Sequence, residues 1–411
     1  MADKISFEAP RGMRDFYPED MAWRNRVFDA FRAAGAAAGF EPYDACVVES
    51  YDLLARKAGE EVGEQIYHFL DKSDRHLALR AEMTPTLARM VAQRQKELPF
   101  PLKWTTIAQC FRYERMTKGR KREHYQWNVD VVGEDSILAE AEVIGAAVDA
   151  LRRMGLSDAD FRVRVSSRRF LGELLAGSGI PAGRHAQVFL ALDKRGKMPD
   201  SEIAAMLRDG GLSDDETKAA FAVMDTKDCA GCPELVELFG LAETAGFADV
   251  LQFDISVIRG LSYYTGIVFE CFDTAGEFRA IFGGGRYDNL LTTIGGEPAT
   301  AVGLGFGDVV VTELLKARLG ADAARARAGV AVGFMFPEQR DAALALATRL
   351  RRGGECVDLS LRSLKPKKFF AHASERGAAR AVFLGPDDVA RGVARMKDME
   401  TREETEVCLN P

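Results

Sequence analysis

The chain has 411 residues, 47% of them hydrophobic and 28% charged, with a formal net charge of −7. That composition excludes a disordered or low-complexity chain and suits a soluble globular protein of two or three domains with a substantial core. The N-terminal MADKISFEAPRGMRDF has no apolar signal segment and no stretch approaches the ~18 uninterrupted apolar residues of a membrane span, so a cytoplasmic location is expected.

Pro18-Glu19-Asp20 suits a helix N-terminus, and Trp23, Val27, Phe28, Phe31 and Ala34 recur at helical spacing over Met21 to Ala38, with Gly39 as the stop. Phe40 to Tyr43 leads into a strand. Tyr67 to Leu70 and Leu77 to Arg80 read as strands around a polar turn, followed by an amphipathic helix ending near Gln95. Thr84 could be the N-cap of that helix, a reading that leaves the carboxylate of Glu82 at a strand end without a structural purpose.

Arg112 to Glu123 carries six basic residues against two acidic ones, a local +4 in an acidic chain. Arginines around a Lys-Gly-Arg turn present planar forks to phosphate oxygens, and glycine lets backbone approach a polyanion closely. Directly afterwards, period-two alternation puts Gln126, Asn128 and Asp130 on one face of a strand. A buried strand rarely carries an amide and a carboxylate on one face unless they meet a polar ligand, because each unpaired buried group costs about 1–3 kcal/mol.

A helix over Ile137 to Met154, a strand over Phe161 to Ser166 and a mostly helical region from about 170 to 247 follow. Cys229-Ala-Gly-Cys232 is the one close pair among seven cysteines. No second pair or suitably spaced histidine accompanies it, so reduced thiols and no structural metal are expected. Val250 to Leu290 reads as three strands, the last two joined at Asp273 to Gly276 as a hairpin of an antiparallel sheet. Gly283-Gly284-Gly285-Arg286 lacks the spacing of a dinucleotide fingerprint, and a glycine triplet at a strand end serves as a bend as readily as a ligand platform. A glycine-rich strand and a helix complete a unit over 1–319. A linker at 320–329 then opens a small α/β domain, 330–411, in which Arg362 to Arg380 holds six basic residues against Glu375 and fits phosphate contact.

The block FRYERMTKGRKREHYQWNVD resembles motif 2 of class II aminoacyl-tRNA synthetases, and Arg259-Gly-Leu-Ser-Tyr-Tyr264 resembles the signature of the histidyl-tRNA synthetase family. The resemblance covers nearly the whole chain. It implies an α+β catalytic domain on an antiparallel sheet of the class II type, interrupted by a helical insertion that contacts the tRNA acceptor stem, and a C-terminal anticodon-binding α/β domain. The implied activity is ATP-dependent formation of histidyl-adenylate and transfer to the 3′ end of histidine tRNA, by a homodimer, with Mg²⁺ accompanying the ATP phosphates.

Carried over by motif, the resemblance gives Arg112 and Arg259 the catalytic charge. Histidine is held by Glu82, Met83, Thr84, Arg112, Gln126, Asp130, Arg259, Tyr263 and Tyr264. ATP falls to Arg112, Glu114, Arg120, Gly284 and Gly285, and tRNA to Arg115, Thr117, Lys365, Lys367 and Lys368. Three departures stand out: Val310 falls about where the family's motif 3 arginine would be, Met116-Thr117 replaces a frequent Pro-Gln, and Asp130 replaces a frequent Glu. The first keeps an alternative open, the histidine-binding regulatory subunit of ATP phosphoribosyltransferase, although that paralogue usually lacks an anticodon-binding domain.

Overall fold

The structure is a computed structural model describing residues 6–57, 65–116, 119–195, 198–258, 264–324 and 329–409. Two compact units divide the chain, Met1–Ala323 and Ala324–Pro411. In chain order the strands of the first unit are β1 (Glu41–Pro42), β2 (Val48–Ser50), β3 (His68–Leu70), β4 (His76–Leu79), β5 (Leu102–Phe111), β6 (Glu123–Val132), β7 (Phe161–Ser167), β8 (Leu251–Phe253), β9 (Ile267–Asp273), β10 (Phe282–Arg286) and β11 (Ala301–Gly307). Eight of them form one sheet in the order β1-β5-β6-β11-β10-β9-β7-β8, and β2-β4-β3 form a small separate sheet.

All interior pairings of the large sheet are antiparallel, as the alternating hairpin-like segments imply, but both edge pairs, β1–β5 and β7–β8, are parallel. Each edge strand is separated from its neighbour by a long excursion, through the small sheet and the helix Thr84–Arg94 in one case and through the helical segment in the other. A long crossover lets the chain re-enter from the same end, which a tight turn cannot do.

Helix α1 (Pro18–Ala37) covers one face of the sheet. Its apolar spacing buries Trp23, Val27, Phe31 and Ala34, and Gly39, at φ +73°, ends the run in a conformation that side chains disfavour. Phe31 stacks on Trp127 of β6 with ring centroids 4.7 Å apart and meets Phe306 of β11 edge-on at 4.8 Å. Both Phe31 and Trp127 are fully buried, so each contributes about 1.5–3 kcal/mol of burial, and truncating Phe31 to alanine is expected to cost about 3–5 kcal/mol. With this face filled by aromatics, the alternate residues of β6 turn to the other side of the sheet.

Between β7 and β8 lie the helices Arg168–Gly177, His185–Lys194, Asp200–Asp209, Asp214–Met224 and Pro233–Ala245. Cys232 precedes the last of them, and both Cys229 and Cys232 are free thiols. The second unit is a five-stranded sheet of β12 (Val330–Phe334), β13 (Val357–Leu359), β14 (Arg380–Leu384), β15 (Val393–Asp398) and β16 (Glu404–Cys408), ordered β13-β12-β14-β15-β16. Its first three strands are parallel, with helices Arg340–Arg352 and Pro366–Glu375 between them, and the β15–β16 hairpin is an addition the sequence reading did not contain.

Candidate active site

Strand β6 is the centre of the sheet face opposite α1. Its register sets Asp130 across from Gly303, Asn128 across from Gly305 and Gln126 across from Gly307 of β11, while Gly303 and Gly305 lie opposite Gly285 and Gly283 of β10. The glycines are required by space. A Cβ on Gly303 would stand 1.9 Å from Oδ1 of Asp130, one on Gly305 2.8 Å from Nε2 of Gln126, and one on Gly285 2.9 Å from the ring of Tyr264. Two bare strands therefore leave a trough into which the polar side chains of β6 lie. Gly284 faces the other way, where a Cβ would meet the Phe269 ring at 2.6 Å.

Within the trough, Asp130 is 1% exposed and accepts a 2.5 Å hydrogen bond from the Tyr287 hydroxyl. Gln126 donates through Nε2 to Oδ1 of the buried Asn128 at 2.9 Å. Tyr43, which follows β1, belongs to the same neighbourhood: burial, and next the Asp130 charge, push its phenol well above its ordinary value. Tyr287 and Tyr43 are additions to the sequence-derived set, whereas Asn128 was placed on this face by its spacing. Tyr287 directly follows the glycine triplet and its arginine, which was the available signal.

At one rim, Glu82, Met83 and Thr84 connect β4 to the helix Thr84–Arg94, and all three are buried. The N-cap is Met83, and Thr84 is the first helical residue, so the capping explanation of Thr84 does not hold. Arg112 reaches this rim and donates from Nε to the carbonyl of Ala81 at 2.9 Å. Cys110 lies beneath. Burial pushes its thiol up to about 12 against the opposing charges of Arg112 and Arg80, and Glu82 adds to the rise. His124 is held neutral: burial first, then the Arg112 charge, lower its imidazole to about 3, with a hydrogen bond to Gln126 acting the other way.

The basic turn is organised by its own acids and aromatics. Arg120 pairs with Glu114 at 2.8 Å, Arg122 lies 3.7 Å over the Tyr113 ring, and Gly119 takes φ +82°. Arg115 is exposed. Beside this turn the helix Asp308–Leu319 begins with Asp308, buried and bound to Arg14 at 2.9 Å and to the Tyr125 N–H at 2.9 Å. Burial raises the Asp308 carboxyl, and Arg14 opposes the rise. Val310 touches the turn, since a Cβ on Gly119 would lie 3.4 Å from its Cγ2. Arg259, Tyr263 and Thr117 lie outside the described residues.

Comparison with known proteins decides the family of the chain. Residues 12–307 match the histidyl-tRNA synthetase family model, and 329–410 match that of an anticodon binding domain. The chain belongs to the histidyl-tRNA synthetase family. It is 43% identical to the chloroplastic/mitochondrial histidine–tRNA ligase of Arabidopsis thaliana, covering 99% of this chain and 86% of that one. The histidine–tRNA ligase of Opitutus terrae is 36% identical, covering 98% of this chain and 96% of its own. A histidyl-tRNA synthetase structure from Nostoc sp. PCC 7120 superposes with a TM-score of 0.83 over 98% of this chain and 97% of that chain, at 23% identity, a likeness of fold. Full-length similarity to ligases supports the synthetase reading over the regulatory-subunit alternative.

The second unit carries its own basic surface. Lys365, Lys367 and Lys368 are exposed at the start of the helix Pro366–Glu375, where Lys365 is the N-cap. Lys368 and Arg362 border a groove of about 920 Å³ whose wall includes Leu361, Phe369 and His372. Arg376 and Arg380 are engaged with Asp358 and Glu355. Among the described residues no group of three or more His, Cys, Asp or Glu could hold a metal ion, and no helix is long and apolar enough to cross a membrane.

Proposed function

We propose that the trough activates histidine with ATP and loads it onto histidine tRNA through the residues assembled around β6. Membership of the family makes the chain an aminoacyl-tRNA synthetase, a histidine–tRNA ligase with ATP, histidine and tRNA as substrates. The observation that supports the trough as its site is the face on which Asp130 and Gln126 lie against glycine strands, with Glu82 and Arg112 at the rim.

In this reading Asp130 and Tyr264 hydrogen-bond the imidazole, Glu82 and Thr84 hold the α-ammonium, and Gln126 and Tyr263 surround the backbone and ring, with Met83 packed behind. One oxygen of the histidine carboxylate attacks the α-phosphorus, the bond to the β-phosphate breaks, and pyrophosphate leaves. Arg112 and Arg259 stabilise the charge that develops there, each such donor supplying about 3–4 kcal/mol. Arg120, held by Glu114, orders the distal phosphates, and Gly285 gives the nucleotide a close backbone approach, whereas Gly284, expected beside it, faces Phe269 on the other side of the sheet. Mg²⁺ arrives as part of the nucleotide and neutralises phosphate charge, held mostly by the phosphates themselves. A terminal ribose hydroxyl of the tRNA then attacks the histidyl carbonyl and AMP leaves.

A site that must hydrogen-bond its substrate rejects analogues lacking those groups by about 10⁴–10⁵, so selectivity needs no second hydrolytic sieve. Arg115, Thr117, Lys365, Lys367 and Lys368 contact the tRNA, and the protein acts as a cytoplasmic homodimer with domains at 1–319 and 330–411 joined by a linker. Amino-acid-dependent ATP–pyrophosphate exchange tests the reading. Exchange with histidine alone, reduced about 100-fold or more by Arg259→Ala, is the expected outcome. Histidine binding without exchange would transfer the site to a non-catalytic role.

A further inference from the structure

A positive group at the phosphate end of the trough has no assignment so far. Arg279 lies between β9 and β10, in the loop that follows the turn at Asp273 to Gly276. It extends to the basic turn of motif 2, where a Cβ on Gly119 would stand 3.9 Å from its Cδ and 3.4 Å from Cγ2 of Val310. Its side chain shares the surroundings of Arg120 and Glu114: loss of water lowers the Arg279 guanidinium first, the Arg120 charge lowers it further, and Glu114 raises it. Among the described residues Glu114 is already paired to Arg120 at 2.8 Å, and Arg279 makes no ion pair or hydrogen bond of its own.

Two solvent-exposed guanidinium groups beside a single carboxylate already engaged by one of them leave local positive charge that an anion with several oxygens would match. The sequence supplies a reason for the second cation. The first turn of the helix Asp308–Leu319 ends against Gly119 with the apolar Val310, at about the position where the resemblance calls for an arginine, and Arg279 comes to the same glycine from a different element. We propose that Arg279 binds the terminal phosphates of ATP together with Arg120, replacing from the β9–β10 loop the cation that the helix lacks. The proposal rests on the synthetase reading of the trough and adds to it a substrate-contacting residue that no motif carries.

The test compares the full-length protein with Arg279→Ala, Arg279→Lys and the double variant Arg279→Ala/Val310→Arg in histidine-dependent ATP–pyrophosphate exchange. A non-hydrolysable histidyl-adenylate mimic, which has no β- or γ-phosphate, is titrated in parallel. Loss of a charge-assisted contact to phosphate is expected to raise KM for ATP about 10-fold or more in Arg279→Ala, with KM for histidine and the affinity for the mimic within about twofold of the parent. Arg279→Lys recovers part of the loss, and the double variant recovers more because its new guanidinium starts from a side chain already touching Gly119. An unchanged KM for ATP in Arg279→Ala, or an equal loss of affinity for the mimic, overturns the proposal. Absence of exchange in the parent protein overturns the synthetase reading instead, so the two failures are distinct.

Discussion

Asp130 is 1% exposed, bonded to Tyr287 and roofed by strands whose missing side chains make its room, whereas Arg120 is 46% exposed and held by one carboxylate. In the proposed reading the two ends of the trough thus solve different problems. Recognition of an imidazole depends on a few fixed hydrogen bonds in a site shielded from water, where an unsatisfied partner is expensive. Recognition of a polyphosphate depends on charge, which acts over longer distances and is satisfied by long side chains from an open turn. The first end is built into the register of the sheet, and the second into the loops at its margin.

That contrast is most directly broken at Gly303. An alanine there would put a methyl carbon 1.9 Å from Asp130 Oδ1 and 3.1 Å from the Val129 carbonyl, so either the carboxylate or the strand must move. A displacement near 1 Å in a positioned group costs about 100-fold. The expected result for Gly303→Ala is a fall of that size in kcat/KM for histidine, with KM for ATP changed far less, measured by exchange with each substrate varied in turn. Equal damage to both substrates would mean that the two ends are one mechanical unit.

A milder probe of the same end is Tyr287→Phe. The phenol donates to Asp130 at 2.5 Å and is itself buried, so its removal leaves the ring packing intact and takes one hydrogen bond from a carboxylate. Kcat/KM for histidine is expected to fall about 10-fold, the lower range for a charge-assisted bond, and ATP affinity to stay within about twofold. No change in histidine kinetics would show that Asp130 is oriented by its strand alone.

The legibility of these two ends in the sequence differed for a physical reason. Alternation along one strand is local, so Gln126, Asn128 and Asp130 could be set on one face from their spacing alone. The matching alternation of Gly303, Gly305 and Gly307 is equally visible, but its pairing to β6 is a register 170 or more residues away in the chain, which spacing does not specify. The glycine triplet stayed ambiguous because its members divide between faces, Gly283 and Gly285 toward the trough and Gly284 toward Phe269. Arg279 and Asp308 were missed for the same reason: one is an ordinary loop arginine and the other an ordinary helix-starting acid until folding brings each to the basic turn or to Arg14. The histidine signature, conversely, was read from Arg259 to Tyr264 by resemblance, and only Tyr264 of it lies within the described residues.

The smallest expected effect on activity concerns His124, which sits between the two ends, bonded to Gln126 on one side and near the charges of Arg112 and Arg14 on the other. Its imidazole is lowered from an ordinary 6.5 to about 3, chiefly by burial. Between pH 5 and 9 it therefore stays neutral, and the pH profile of kcat/KM should contain no limb that disappears in His124→Gln. Stability behaves differently. The unfolded chain takes up a proton on this ring as pH falls below about 6.5, while the folded chain resists until about 3, so the folded state loses stability progressively through that window and keeps it fully above. Thermal unfolding of the parent and of His124→Gln should accordingly converge as pH is lowered from 7 to 4, with the variant losing less. A parent that loses no more than the variant would mean that the ring is charged inside the fold, beside Arg112, and that the trough carries one positive charge more than its arginines account for.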